Sequence, residues 1–189
     1  MSLAHSQLPF MTEDEYLAQE LNATERHEYV DGYIYLMAGS SKHHNRIALN
    51  IATYFNQLTR RSSCQVYASD MKVRVKERNS YYYPDIVVSC YDDDNNDYFL
   101  DYPCLIIEVT SDSTLRKDYL EKSLAYQSIS SLQTYLIVSQ DKYQVDILKR
   151  NDKGSWNLSQ MNQLEQSIEL TCPVSTLSLR EIYQSIELT

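Results

Sequence analysis

No stretch of this chain is apolar for long enough to cross a bilayer. Its opening, MSLAHSQLPFMTEDEYL, has neither the basic start nor the apolar run of a signal peptide. The expectation is a cytoplasmic protein with no membrane partner. There is no C-x-x-C: Cys64, Cys90, Cys104 and Cys172 are far apart in the chain, so four reduced thiols are expected. The four histidines are scattered, and the adjacent His43 and His44 cannot easily face one metal, which argues against a zinc site built on histidine. A basic excess is also missing. The 17 Lys and Arg face 26 Asp and Glu, giving a net charge of −9. That argues against a general nucleic-acid coat, but not against an enzyme that grips nucleic acid through one local patch and a metal. The acidic stretch YDDDNNDYFLDYP lacks what a calcium loop needs. Counted from Asp92, Asp97 stands where glycine is required and Pro103 where a bidentate glutamate is required. It reads as a solvated loop. No internal repeat and no low-complexity linker divide the chain.

The length suits one domain with a real core: a loose tail over residues 1–10, then a single domain over 11–189. TEDEYLAQEL carries a capping box, Thr12 with Glu15, and opens a first helix. HEYVDGYIYLMAG is a hairpin around Asp31-Gly32. In HHNRIALNIATYFNQLTRR, Ile47, Ile51, Tyr54, Phe55 and Leu58 fall at helical spacing. CQVYAS, MKVRVKER, YYYPDIVVSC and CLIIEVT read as strands. LRKDYLEKSLAYQS reads as a helix opened by Ser113 or Thr114. QTYLIVSQDKYQVDILKR reads as two strands around a turn, SWNLSQM and SIEL as short strands, and SLREIYQSI as a closing helix. The tyrosine run of SYYYPD fits strand propensity. The fold class is mixed α/β (α+β): a central mixed β-sheet flanked by helices.

CLIIEV poses a chemical question, because Glu108 sits inside an apolar strand, where an unpaired carboxylate is costly. Alternation puts Leu105, Ile107 and Val109 on one face, and Cys104, Ile106 and Glu108 on the other. PDIVVS precedes this strand, and Pro84 suits a strand start. If the two strands pair antiparallel, Asp85 lies beside Glu108. Two such carboxylates repel unless a cation sits between them, and Mg²⁺ takes carboxylate oxygens while keeping several waters. The expected site therefore holds Mg²⁺ or Mn²⁺ on Asp85 and Glu108 at about 2.0–2.2 Å.

Asp118 and Lys122 share a face of the next helix. They read either as an exposed ion pair or as site residues. An amine near a metal site can position water, take its proton or neutralise a phosphate. Gln127 does not keep to that face. His43 and His44 read as surface residues at a helix start, with a phosphate contact as the functional alternative. In MKVRVKER, alternation places Lys72, Arg74, Lys76 and Arg78 on one face. This is a charged edge strand that blocks sheet-to-sheet pairing or a basic stripe along a phosphate backbone; the edge strand is the better reading.

Taken together, RHEYVDGYIYLMAGSSKHHNRIALNI, YYYPDIVVSC, CLIIEVTSDST and KDYLEKSLAYQSISSLQTYLIVSQD resemble the "putative restriction endonuclease" domain family, a branch of the PD-(D/E)XK nucleases. The similarity runs from about Thr12 to the C-terminus. It implies a restriction-endonuclease-like fold, Mg²⁺-assisted hydrolysis of DNA phosphodiesters, and commonly a homodimer. It assigns Asp85 and Glu108 as the motif acids and the Val109 carbonyl as a further metal ligand. The superfamily's lysine, two residues after the acid, is Thr110 here, and the resemblance moves that amine to Lys122. Glu28 matches a family acid; its other reading is a cap or surface charge beside the hairpin. Two further functions stay open: a catalytically idle binding or assembly module, kept alive by Thr110, and a metal-free two-carboxylate hydrolase.

Overall fold

The computed structural model describes residues 10–37, 39–91, 96–111 and 118–188, with only the backbone of Asp118 and Tyr119. The tail over residues 1–9 and the helix start at Ser113 or Thr114 lie outside the described residues.

Helix α1 (Glu13–Glu20) begins at the expected capping box: the Thr12 hydroxyl accepts from the Glu15 amide, and the Glu15 carboxylate accepts from the Thr12 amide. The hairpin pairs β1 (His27–Val30) with β2 (Tyr33–Leu36). Its turn needs positive φ at both Asp31 (46°) and Gly32 (92°), the backbone that Asp-Gly supplies at least cost. Helix α2 (Lys42–Thr59) buries Ile47, Ile51, Phe55 and Thr59, while Leu58 is exposed and Tyr54 only partly covered.

The central six-stranded sheet has the order β11–β10–β9–β8–β6–β3. These are β3 (Gln65–Ala68), β6 (Ile86–Ser89), β8 (Pro103–Thr110), β9 (Thr134–Ser139), β10 (Val145–Arg150) and β11 (Trp156–Met161). It is mixed: β8 and β9 run parallel, and β6 meets β8 antiparallel, with Ile86 opposite Ile107. One face packs on α2. There Ile47, Ile51 and Phe55 meet Ile86, Val88, Leu105, Ile107 and Val109. The other face, with Val87, Ile106 and Ile137, meets helix α3 (Ser123–Tyr126) and a second sheet.

That second sheet runs β2–β1–β5–β4–β7, where β4 is Lys72–Val75, β5 is Ser80–Tyr82 and β7 is Phe99–Leu100. Two expectations change here. YYYPDIVVSC is not one strand: the chain leaves β5 at Tyr82, crosses through Tyr83-Pro84-Asp85 and enters β6 in the other sheet. Proline has no N–H for a ladder, which suits a crossing between sheets. MKVRVKER is neither an edge strand nor a basic stripe. β4 lies between β5 and β7, and Lys76–Arg78 form a 3₁₀ turn. Lys72 is buried beside Tyr83, and burial pulls its pKa below the ordinary lysine value. Arg74 forks onto Asp101 at 2.7 and 2.6 Å.

The acidic loop, beyond its residues outside the description, contributes the buried β7. A last hairpin pairs β12 (Ser167–Thr171) with β13 (Val174–Ser178), a strand the sequence reading missed. The closing helix shortens to α4 (Leu179–Ile182), which packs against α2. No described helix is long and apolar enough to cross a membrane.

Candidate active site

β8 outruns β6 at the end where β6 begins. The last pair of the ladder is Ile86–Ile107, so continuing the register sets Asp85 opposite Glu108. The expected antiparallel meeting of the two acids is present in the backbone. Asp85 Oδ2 accepts a hydrogen bond from the Val109 amide at 2.7 Å, so the carboxylate takes over where the β6 ladder stops. In an extended strand the N–H and C=O of one residue point to the same edge. The Val109 carbonyl therefore faces the Asp85 side, whereas the Thr110 carbonyl accepts from Gln140 beyond β9.

Glu108 is buried and its Oε1 is held twice, by Lys122 Nζ at 2.8 Å and by the Tyr126 hydroxyl at 3.0 Å. Lys122 closes a π-helical turn (Asp118–Lys122), and Tyr126 stands one turn later in α3. The spacing of four places both on one helix face, above the strand. Burial, followed by the Glu108 charge, pushes the Tyr126 hydroxyl well above the ordinary tyrosine range, so it serves as a fixed proton donor.

Glu28 comes from β1 in the other sheet, is also buried, and brings Oε1 to 2.9 Å from the same Lys122 Nζ. The ammonium thus sits between two buried carboxylates at the junction of the two sheets and the helix. The surface-charge reading of Glu28 fails. So does the exposed-pair reading of Lys122, whose side chain is 7% exposed. The Asp118 side chain lies outside the described residues.

His44, expected at the surface with a phosphate contact as the functional alternative, instead reaches Asp85. It is half-buried, and its Nε2 lies 3.2 Å from Asp85 Oδ2. Ser41 caps α2 by accepting from the His44 amide at 3.1 Å, and donates to Gln140 at 2.6 Å beyond the end of β9. This fixes the first turn of α2 over the open end of the acid strand. The signal was available: His44 precedes Ile47 and Ile51 at helical spacing and so shares the buried face. His43, one residue away, is exposed.

The cysteine expectation is overturned. Cys64 bonds to Cys90 and Cys104 to Cys172. Cys104 also departs from the alternation expected of it. Val88 pairs with Leu105 but Ser89 with Pro103, so Cys104 is the extra residue of a β-bulge and joins the α2-side core.

Comparison with known proteins bears on these residues together. The family model Uma2, described as "Putative restriction endonuclease", matches residues 13–180. An uncharacterized protein of Synechocystis sp. (strain ATCC 27184 / PCC 6803 / Kazusa), slr1290, is 36% identical over 183 residues, covering 93% of this chain and 96% of the relative. A second from the same strain, sll1609, is 32% identical over 164 residues, covering 85% and 93%. A crystal structure from Anabaena variabilis ATCC 29413, described as "a putative nuclease belonging to DUF820", superposes with a TM-score of 0.72 at 15% identity, covering 91% of this chain and 97% of that one. At that identity the superposition shows the fold.

Proposed function

Because the chain belongs to the Uma2 family of restriction-endonuclease-like proteins, we propose that it is a Mg²⁺-dependent endonuclease that hydrolyses DNA phosphodiesters at the site built by Asp85, Glu108, Lys122 and Glu28. One observation carries the reading: a buried lysine clamped between Glu28 and Glu108, beside the strand end where Asp85 stands opposite Glu108. An ammonium bridging two carboxylates from different sheets is an expensive arrangement. A site that must handle phosphate charge gives it a use.

The donor chemistry suits a hard divalent cation. Asp85, Glu108 and the Val109 carbonyl offer oxygen only, and one or two carboxylates are the protein share that Mg²⁺ commonly takes. When bound, the ion supplies Lewis-acid stabilisation of phosphate charge and a more acidic water. The chain's own residues do the rest. Lys122 holds a proton at Nζ next to Glu108, where it orients a water or neutralises charge on the phosphate. Glu28 aims that ammonium. Tyr126 fixes the Glu108 carboxylate, and the Val109 amide with His44 fixes Asp85. Lys122 fills the role that Thr110 cannot.

The test is a cleavage assay on supercoiled, linear and single-stranded DNA, and on RNA, with Mg²⁺ or Mn²⁺. Metal-dependent cleavage of DNA is expected, and EDTA should abolish it. No cleavage under any condition would favour the idle module. EDTA-resistant activity would favour a metal-free hydrolase. Sedimentation of the same preparation should show a homodimer at micromolar concentration. A strict monomer would remove paired double-strand cleavage and leave nicking.

His44→Ala gives a graded effect. The imidazole touches Asp85, so it acts as an outer partner of that acid. Its loss should cut metal affinity or turnover by about 10–100-fold, the usual cost of such a partner. His44→Gln should recover part of the loss if hydrogen bonding to Asp85 is what matters. Wild-type kinetics in His44→Ala would place the residue outside the site.

A further inference from the structure

We infer that the four cysteines form a thiolate site for a zinc-class ion when the chain is reduced. The sulfurs come from four separate places in the sequence. Cys64 just precedes β3 and Cys90 just follows β6. The pair Gln65–Ser89, continued by one residue, sets them opposite each other. Cys104 is turned by the bulge in β8, and Cys172 sits in the turn between β12 and β13. Two unrelated disulfides would have no reason to touch. Here Cys90 Sγ is 3.6 Å from Cys104 Sγ, across the two bridges. Cys90, Cys104 and Cys172 hold their sulfurs within 4.8 Å of one another, the one group of three metal-ligating side chains that close among the described residues. Zinc–sulfur bonds of about 2.3 Å in a tetrahedron put neighbouring sulfurs about 3.8 Å apart. The Cys90–Cys104 spacing already matches such an edge. Cys64 is held near by its bond to Cys90 and needs a side-chain rotation to join once that bond opens.

The redox balance is simple. Each disulfide takes two electrons and two protons from one dithiol reductant, which is itself oxidised to a disulfide. Two dithiols therefore give four thiols. Binding one divalent ion then releases one proton from each thiol. Sulfur-only ligation selects a zinc-class ion over Mg²⁺, so this site is chemically distinct from the acid site. It lies at the other end of β6 and β8. Its occupant would tie β3, β6 and β8 to the β12–β13 hairpin.

The test uses full-length protein reduced with a phosphine under anaerobic conditions, freed of reductant and titrated with Co²⁺. Sulfur-to-cobalt charge-transfer absorption saturating at one ion per chain is expected, with displacement by Zn²⁺. Cys172→Ser and Cys64→Ser should each weaken binding by more than the roughly 100-fold that an outer-shell partner costs. Glu108→Gln should leave the absorption unchanged, which separates this site from the proposed nuclease centre. Circular dichroism checks that each variant folds. Absence of the charge-transfer band in folded, fully reduced wild-type protein would overturn the inference. So would a band that survives both cysteine substitutions.

Discussion

Lys122→Ala should lose both activity and stability. Turnover should fall by about 10²–10⁴-fold, the usual size of a lost general acid or base. Stability should fall by about 3–5 kcal/mol, the cost of breaking a buried ion pair from one side. For a chain of this size that corresponds to a drop in Tm of roughly 6–20 °C. A helix-surface lysine would have left folding almost untouched, as the exposed-pair reading implied. The structure changes that expectation, because the ammonium is buried and bridges Glu28 at 2.9 Å and Glu108 at 2.8 Å. Removing it leaves two carboxylates facing each other out of water. The two losses can be separated. Adding Glu28→Gln to Lys122→Met removes one orphaned charge and should restore part of the stability but none of the turnover. Lys122→Arg should rescue turnover poorly, since a guanidinium keeps its proton and its planar fork does not replace a point charge. A Lys122→Ala protein that cleaves and melts like wild type would return Lys122 to a surface role.

What the sequence revealed and what it hid follow one physical line. Local periodicity placed the Asp31-Gly32 hairpin, the Thr12–Glu15 cap, the apolar face of α2 and the strand carrying Glu108. It set Asp85 beside Glu108 on the condition that the two strands pair antiparallel, and they do. Tyr126 could have been found as well, since it lies four residues after Lys122 on the same helix face.

Features that depend on which sheet a strand joins were hidden. The crossing at Tyr83-Pro84 looks like a strand continuation until a second sheet exists to receive Ser80–Tyr82. Arg74 looks like an exposed charge until β7 brings Asp101 beside it. Glu28 became buried only when its sheet closed over the helix. The cysteines are separated by 26 and 68 residues within their pairs and carry no local motif, so only tertiary structure could gather them.

Glu108→Gln and Asp85→Asn should each reduce cleavage by at least about 10²–10³-fold, the size expected when one preorganised electrostatic contact is removed. Both changes are near-isosteric, so they test charge and not shape. Asn at 85 still offers an oxygen to the Val109 amide, and Gln at 108 still offers one to Lys122 and Tyr126. The fold should therefore persist while the anionic donors for a hard cation are halved. Calorimetric titration with Mn²⁺ should show one weak site in the wild type that is lost in each variant. The variants also divide the remaining readings. A metal-free pair of carboxylates would lose activity on the same substitutions, but its wild-type activity would be indifferent to EDTA. An idle module would lose no activity and would show no acid-dependent Mn²⁺ uptake. If Mn²⁺ binding survives Asp85→Asn and Glu108→Gln together, the acids do not hold the metal. Glu108 would then be the buried partner of Lys122, held at 2.8 Å for the sake of the fold.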